Sequence, residues 1–198
     1  ADRNDPHAGQ VWLAKVGSGE VSPWPSLAKE GMVGDVKWVG EAPTCLDELG
    51  TRTEVHHRTV AGVVDSARTE AGVPARAQVT AFDERSGVLV CAASTATHPA
   101  ELFASGLGRI TANNPELANV ALGEQTVEKV RARDGLEIEG LLIKPVGYQQ
   151  GTKYPFVIVV HGGPEAHFSD GWLTNYSRPG QMAAAEGMAA APNTREVA

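Results

Sequence analysis

The chain has 198 residues, of which 42% are hydrophobic and 21% charged, and this is enough for one large or two small globular domains. Its net charge of −7 argues against nucleic acid and anionic membranes as partners, because both bind basic surfaces. No apolar run approaches the ~18–20 residues that cross a bilayer, so we expect a soluble protein without a membrane segment. The sequence leaves the compartment, cytoplasmic or periplasmic, and the formation of homo-oligomers open.

The first part of the chain, up to about residue 118, has the pattern of short strands separated by turns. Apolar stretches predict strands at 11–16, 35–39, 53–60, 77–82, 88–93 and 99–105. Residues 83–87 (Asp-Glu-Arg-Ser-Gly) predict a hairpin turn. The stretch from about 41 to 76 shows little further regularity, and 63–75 indicates an exposed loop. Short antiparallel strands at this spacing predict propeller blades or a sandwich.

The strand-like pattern ends at residues 111–117, and we expect a domain boundary there. Asn114-Pro115 followed by Glu116-Leu117 predicts a turn with one helical turn after it. Beyond it, 126–133 and 136–144 alternate apolar and charged residues on either side of Asp134-Gly135. This pattern predicts a β-hairpin with one face in water.

The most informative feature is the apolar run 156–160, which ends abruptly at His161-Gly162-Gly163-Pro164. It predicts a buried strand that delivers a glycine loop to the edge of a sheet. A helix is expected at 179–186, with Gly187 as its C-terminal cap, and a short strand at 188–192. Strand, loop, helix and strand in this order open a parallel α/β unit.

Two adjacent glycines after a buried strand also suggest a chemistry. Serine hydrolases of the α/β type use such a loop to place a backbone N–H against a developing oxyanion. The plainer alternative is a tight turn without a catalytic role. An oxyanion donor acts only with a nucleophile that holds the carbonyl about 3 Å away. The chain contains no Gly-x-Ser-x-Gly, and Ser18 and Ser105 lack the flanking glycines that this motif requires.

Other chemistry-bearing residues favour structural roles. His161 is expected to orient its loop, and neither the pair His161 and His167 nor the pair His56 and His57 has the further ligands that zinc needs. We therefore predict no metal and no cofactor.

The cysteines and tryptophans also favour packing. Cys45 and Cys91 lie far apart in strand-like stretches, which favours two buried thiols, with a disulfide left open. Three tryptophans are expected to pack in the core: Trp12, Trp24 and Trp38. Trp172 is expected to pack as well, with a role at a substrate entrance as the alternative.

Five motifs follow one another in a fixed order between residues 77 and 195. They are His98-Pro-Ala-Glu-Leu-Phe103, Arg109-Ile-Thr111 with Asn114, Asp134-Gly-Leu-Glu-Ile-Glu-Gly140 with Lys144-Pro145, His161-Gly-Gly-Pro164, and Pro192-Asn193-x-Arg195. Together they resemble the prolyl oligopeptidase family of serine peptidases, in its acylaminoacyl-peptidase and dipeptidyl-peptidase-like branch. The resemblance is weaker before residue 77. It also departs from the family pattern after Arg195, where Glu196-Val197-Ala198 replaces a glycine and a small hydroxyl residue.

The resemblance implies a fold and a division into domains. Residues 1–118 would be the C-terminal blades of a β-propeller, and 119–198 the N-terminal portion of a truncated α/β-hydrolase catalytic domain. Gly163 would supply one oxyanion N–H, and Gly162 would allow the tight turn. No catalytic residue lies in this chain, since the Ser, Asp and His of the triad are expected downstream.

The implied activity is serine-type hydrolysis of short peptides by acyl transfer, with the fragment inactive alone. Two other functions remain open: an esterase or lipase of the α/β-hydrolase type, and a non-enzymatic propeller that binds a partner. Endo- versus exopeptidase preference and the side chain favoured at the cut are not readable from the residues.

Overall fold

A computed structural model describes residues 11–24, 32–39, 42–58, 64–66, 72–160 and 168–197. In these ranges the chain forms three four-stranded sheets, two short hairpins, one short α-helix and one 3₁₀ helix. The first hairpin joins β1 (Trp12–Ala14) to β2 (Val21–Pro23). Neither helix is long and apolar enough to cross a bilayer, and this finding covers the described ranges alone.

The first two sheets are antiparallel meanders in which every strand pairs with its neighbour in sequence. The first contains β3 (Met32–Val39), β4 (Ala42–Leu49), β5 (Arg52–Arg58) and β6 (Val64–Ser66). The second contains β7 (Gln78–Arg85), β8 (Val88–Thr95), β9 (His98–Ala104) and β10 (Gly108–Arg109). The expected short antiparallel strands are confirmed in this region.

Two of the predicted boundaries are wrong for identifiable reasons. Strand β4 lies in the stretch 41–76, where the sequence showed little regularity. The pattern was missing because residues 43–47 are all buried. A strand buried on both faces has no period of two to detect. Strand β7 extends to Arg85, and the turn consists of Ser86 and Gly87 alone, with φ of 55° and 78°. Positive φ at both positions defines the tight hairpin turn that matches the strand twist.

Strand β6 is a third correction, since it falls within the predicted loop 63–75. It is three residues long and pairs with the end of β5. The strand forms through its backbone pairing with β5. Three residues are too few to show the alternation from which a strand is predicted.

One apolar core lies between the first two sheets. Its buried members are Leu46, Val55, Val73, Ala77, Val79, Phe82, Leu89, Cys91, Ala93 and Phe103. Lys37 of β3 adds a polar link, because its Nζ donates to the carbonyl oxygen of Phe82 at 2.5 Å and lies 5.4 Å from the centroid of that ring. The two sheets therefore stabilise each other by burying shared surface.

A buried carboxylate closes the second sheet where the chain leaves it. Glu101 of β9 accepts a hydrogen bond from the Thr111 hydroxyl and another from the Asn113 N–H at 2.7 Å. The 3₁₀ helix Pro115–Asn119 follows, which confirms the expected helical turn at this boundary. Glu101 thus fixes the segment that leads to the third sheet.

The third sheet mixes antiparallel and parallel pairing. Its strands are β11 (Gln125–Arg131), β12 (Glu137–Ile143), β13 (Phe156–Val159) and β16 (Ala189–Val197), in the order β11-β12-β16-β13. Between β13 and β16 lie the hairpin of β14 (Thr174–Asn175) and β15 (Arg178–Pro179) and the helix α1 (Gly180–Ala185). The hairpin at 126–144 and the parallel unit are confirmed, since β11 pairs antiparallel with β12 and β13 pairs parallel with β16.

Helix α1 ends as the sequence predicts. The N–H of Gly187 donates to Ala184 O at 3.2 Å and that of Met188 to Ala183 O at 2.9 Å, with φ of 76° at Gly187. This is a Schellman cap, which satisfies the last carbonyls of a helix. On the inner face of α1, the amide of buried Gln181 accepts from Gly123 N at 2.7 Å and donates to Gly123 O at 3.0 Å. The helix is therefore fixed to the entry of β11.

Two expectations for the third sheet need correction. Strand β16 is longer than 188–192, because β12 offers it an antiparallel partner as far as Val197. Strand β13 is not buried: Phe156 and Ile158 are 55% and 65% exposed. In the described part of the chain β13 pairs with β16 alone and lies at the edge of the sheet, so half of its side chains face outward.

The pH dependence of stability should reveal the Glu101 clamp. The Thr111 hydroxyl, and to a lesser degree Asn113, His98 and Arg109, hold the pKa of Glu101 below its ordinary value of 4.5 against the opposing effect of burial. A carboxyl group whose pKa is lowered by folding stabilises the fold above its ordinary pKa, and this contribution is lost as pH falls through the folded-state pKa.

We therefore expect the wild-type free energy of unfolding to fall more steeply than that of Glu101→Gln between about pH 6 and about pH 3. Urea unfolding at each pH measures the difference. Equal slopes for the two proteins would contradict this role of Glu101.

Candidate functional site

The predicted oxyanion turn lies outside the described residues, and so do its proposed donors Gly162 and Gly163. The same holds for His161 and His167. The structure does describe the chain on both sides of this turn, namely β13 before it and residues 168–173 after it.

The chain enters the turn from the carboxyl end of a parallel strand. Phe156 of β13 is in register with Ala189 of β16, and Val159 with Pro192, so both strands run toward the same edge of the sheet. In open α/β sheets, ligands bind in the crevice outside the carboxyl ends of the strands. The sequence after Val159 thus begins at the edge where such sites are found.

The chain returns from the turn into the core of the third sheet. Phe168 and Leu173 are buried among Leu141, Ile143 and Ala184. The guanidinium carbon of Arg178 lies 4.6 Å from the centroid of the Phe168 ring, within range of a cation–π interaction. Apolar anchors thus hold both ends of 168–173.

Asp170, between these anchors, contacts β11 of the third sheet, the turn between β4 and β5 of the first, and Arg76, two residues before β7 of the second. Its backbone N–H donates to the carbonyl oxygen of Thr51, between β4 and β5, at 2.7 Å. Its Oδ1 accepts from Gln125 Nε2 of β11 at 2.8 Å, and its Oδ2 lies 3.4 Å from a guanidinium nitrogen of Arg76. Asp170 is only 7% exposed, so the bond to Gln125 is shielded from solvent and stronger than a surface contact.

The next two residues lie against the second sheet. Gln125 Nε2 also donates to the carbonyl oxygen of Gly171 at 3.1 Å, which fixes the orientation of its amide. A Cβ on Gly171 would lie 2.6 Å from Ser94 Oγ, so any larger residue would require Ser94 to shift. The N–H of Trp172 donates to the same Ser94 Oγ at 3.3 Å. The indole is half-buried, and the choice between packing and a substrate entrance stays a prediction.

Polar contacts around this segment join the sheets further. Buried Gln78 of β7 accepts from Thr53 N at 2.7 Å and donates to Arg76 O at 3.0 Å. Glu139 of β12 accepts from the N–H of Thr51 at 3.2 Å. The turn between β4 and β5 is therefore held by both the second and the third sheets. We define the junction as Asp170 with its partners Gln125, Arg76 and Thr51.

Sequence reasoning missed the junction. Asp170 and Gln125 lie 45 residues apart, and neither belongs to a repeat, a charge cluster or a recognised motif. The one local signal is the pair Asp170-Gly171, which is typical of a turn. A polar residue gives no sign of burial in sequence alone, since most aspartates are exposed.

The cysteines and three of the tryptophans can be compared with their predicted positions. Cys45 and Cys91 are buried thiols that form no disulfide, as predicted. Trp24 is buried, but Trp12 and Trp38 are exposed, because the first lies in a two-stranded hairpin and the second on the outer strand β3.

The structure places no metal site in the residues it describes. The Nε2 atom of buried His56 lies 3.0 Å from Glu54 Oε2 and 4.0 Å from Asp47 Oδ2. Within the described ranges, no three His, Cys, Asp or Glu side chains are placed to hold a metal ion.

Comparison with known proteins gives a consistent picture. No family model matches the chain. Dipeptidyl-peptidase 5 of Schizosaccharomyces pombe is 30% identical over 61 residues, which are 30% of this chain and 9% of that protein. Dipeptidyl-peptidase 5 of Trichophyton schoenleinii is 31% identical over 67 residues, which are 33% of this chain and 9% of that protein.

Solved structures match over most of the chain. Acylaminoacyl peptidase from Pyrococcus horikoshii has a TM-score of 0.70 at 22% identity, covering 88% of this chain and 27% of that one. Dipeptidyl peptidase 4 from Porphyromonas gingivalis has a TM-score of 0.72 at 14% identity, covering 93% of this chain and 27% of that one. This chain therefore has the fold of one part of each of these peptidases.

The sequence and structural matches together confirm the resemblance drawn from the motifs. The chain is similar to part of a peptidase of the prolyl oligopeptidase family. It spans less than a tenth of the curated relatives and about a quarter of the solved structures.

The two polar contacts of the Asp170 side chain should differ in energy. The bond to Gln125 is buried and charge-assisted, and such a bond contributes about 1.5–3 kcal/mol. The side chain of Arg76 is 79% exposed, and exposed ion pairs contribute about 0–1 kcal/mol. We expect Asp170→Ala to lower the free energy of unfolding by about 2 kcal/mol or more, and Arg76→Ala by less than about 1 kcal/mol. Urea unfolding of both variants measures this, and equal losses would show that the buried bond is not the dominant contact.

Proposed function

We propose that the polypeptide to which this chain belongs is a serine peptidase that hydrolyses short peptides by acyl transfer. The observation that carries the proposal is where β13 ends. Val159 lies at the carboxyl edge of a parallel strand pair, and the sequence His161-Gly162-Gly163-Pro164 begins two residues later. The fold shared with known peptidases and the curated relatives named dipeptidyl-peptidase support the same reading.

We further propose the domain division 1–118 and 119–198. The two sequential four-stranded meanders support propeller blades, whose sheets have this form. The parallel pair β13 and β16, with α1 in the connection, supports the start of an α/β-hydrolase sheet. A propeller in front of the catalytic domain would restrict entry to short or unstructured peptides.

The proposed chemistry follows the serine hydrolase scheme, by analogy with the family. A downstream serine Oγ attacks the peptide carbonyl carbon while a histidine takes its proton, and an aspartate orients the histidine. The carbonyl electron pair moves to oxygen, and the N–H of Gly163 donates to that oxyanion. The histidine then gives its proton to the leaving amine, and water releases the acyl group by the same steps. No metal or cofactor takes part in this scheme.

Active-site labelling tests the proposal. A fluorophosphonate probe should label one serine in the complete polypeptide and none in the 198-residue chain, which lacks a Gly-x-Ser-x-Gly sequence. The labelled protein should cleave acyl-alanine or dipeptidyl amides faster than p-nitrophenyl esters. A preference for esters would favour an esterase or lipase, and the absence of any labelled serine would favour a binding propeller.

The role of Gly163 can be tested in the same polypeptide. Proline at this position has no N–H, so Gly163→Pro should lower kcat by about 10²–10³-fold, the effect of losing one oxyanion donor. Gly163→Ala keeps the N–H and is the matched control, with a smaller loss expected. Equal losses in the two variants would argue that the amide donor is not what matters.

A further inference from the structure

The hairpin of β14 and β15 exposes its tip to solvent. Asn175 pairs with Arg178, so the turn consists of Tyr176 and Ser177 alone. Asn175, Tyr176 and Ser177 are all exposed, and Tyr176 is fully so. In the described part of the chain, β14 and β15 pair only with each other. A group attached at this tip would therefore not have to displace another strand of the described fold.

The tip contains the sequence Asn175-Tyr176-Ser177. Asn-x-Ser, with any residue except proline in the middle, is an acceptor sequence for N-linked glycans. None of the other five asparagines of the chain is followed two positions later by serine or threonine. Any N-linked glycan on this chain would therefore be on Asn175. Because three residues also match by chance, the exposure and the hydrogen bonds of the site must support the inference.

Local hydrogen bonds hold the asparagine in a defined conformation. The Oδ1 atom of Asn175 accepts from the N–H and from the hydroxyl of Ser177, each at 3.1 Å. Asparagine forms such a side-chain turn with the residue two positions on. Neither bond uses Nδ2, the atom to which a sugar is joined. Hydrogen bonds to an amide oxygen make the N–H of that amide more acidic, and glycan transfer removes one of these protons.

The hairpin is held at its base, away from the tip. The hydroxyl oxygen of Thr174 accepts from the backbone N–H of Gln181 in α1 at 2.8 Å. Leu173, just before β14, is buried in the core of the third sheet. These contacts fix the hairpin without using the side chain of Asn175, so a substituent there would break neither of them.

We propose that Asn175 is an acceptor site for an N-linked oligosaccharide. The donor is an oligosaccharide joined through its anomeric carbon to a lipid diphosphate. In the transfer, Nδ2 of Asn175 forms a bond to the anomeric carbon and loses one proton to a base of the transferase. The bond from that carbon to the diphosphate oxygen breaks, and its electron pair leaves with the lipid diphosphate. The transfer takes place where this donor and its enzyme are present, and it does not depend on the proposed peptidase function.

Glycosylation of the 198-residue chain tests the inference. The chain is translated behind a secretion signal in the presence of microsomes, which hold the donor and the enzyme. The wild type should gain one glycan, seen as a mass increase that an N-glycosidase removes. Asn175→Asp should gain none, although its carboxylate can keep both hydrogen bonds to Ser177. Ser177→Thr keeps the hydroxyl and should be modified as fully as the wild type, whereas Ser177→Ala should lose the modification.

A second acceptor sequence provides the matched positive control. In the Asn175→Asp background, Ala121→Thr creates this sequence at Asn119, and residues 119–121 are exposed. Conditions are set so that this double variant gains one glycan, which shows that the chain reaches the enzyme. An unmodified wild type under these conditions would overturn the inference. A glycan that persists in Asn175→Asp would overturn it as well.

A further measurement asks whether the folded chain accepts the glycan at this place. Because Asn175 is exposed and the hairpin is held at its base, the urea midpoint should be no lower with the glycan than after its removal. The N-glycosidase should also release the glycan without prior denaturation. A midpoint that the glycan lowers would show that the Asn175 side chain is packed against the fold, and would contradict an acceptor site at an exposed tip.

Discussion

The carboxylate of Asp170 is nearly excluded from solvent, and its hydrogen bond to Gln125 ties the segment after the glycine turn to the third sheet. Burying a charge is costly unless the charge is paired and hydrogen-bonded. The contacts of the carboxylate with Gln125 and Arg76 offset that cost, while the backbone N–H of Asp170 donates to Thr51 O. These three partners come together only where the sheets meet. The arrangement of the sheets and the conformation of this segment therefore depend on each other.

The apolar cores and the polar contacts contribute differently to this dependence. The first two sheets share one apolar core, and the third sheet has its own around Leu141 and Ile143. Between these cores the contacts of the junction are polar and specific. Polar contacts of this kind fix geometry more than they add stability. The net free energy of each hydrogen bond is small, but a buried donor or acceptor that loses its partner is destabilising.

Much of the fold could be predicted from local sequence, for physical reasons that particular elements illustrate. The hairpin at Asp134-Gly135 and the cap at Gly187 were predictable because turn and cap chemistry act over a few residues. Strand β4 was not, because a strand buried on both faces has no alternation. The exposed face of β13 was missed because an apolar run does not tell which of its sides is covered.

The candidate site was also predictable only in part. The glycine turn was predicted from contiguous residues, and both the turn and its catalytic role stay predictions. Asp170 was missed because its partners come from distant strands, and a single sequence carries no record of such pairings. The resemblance to a peptidase family was readable because five motifs kept their order. The order of the motifs indicates a family, but it does not indicate which polar residues hold the sheets together.

The central claim is that the junction makes the three sheets one cooperative unit. Hydrogen exchange at increasing urea concentration, followed by mass spectrometry of peptides from β4–β5, from β7–β8 and from β12 and β16, measures the unfolding of each sheet separately. The account predicts one urea midpoint for all of these peptides in the wild type, and separate midpoints in Asp170→Ala. Separate midpoints already present in the wild type would contradict it.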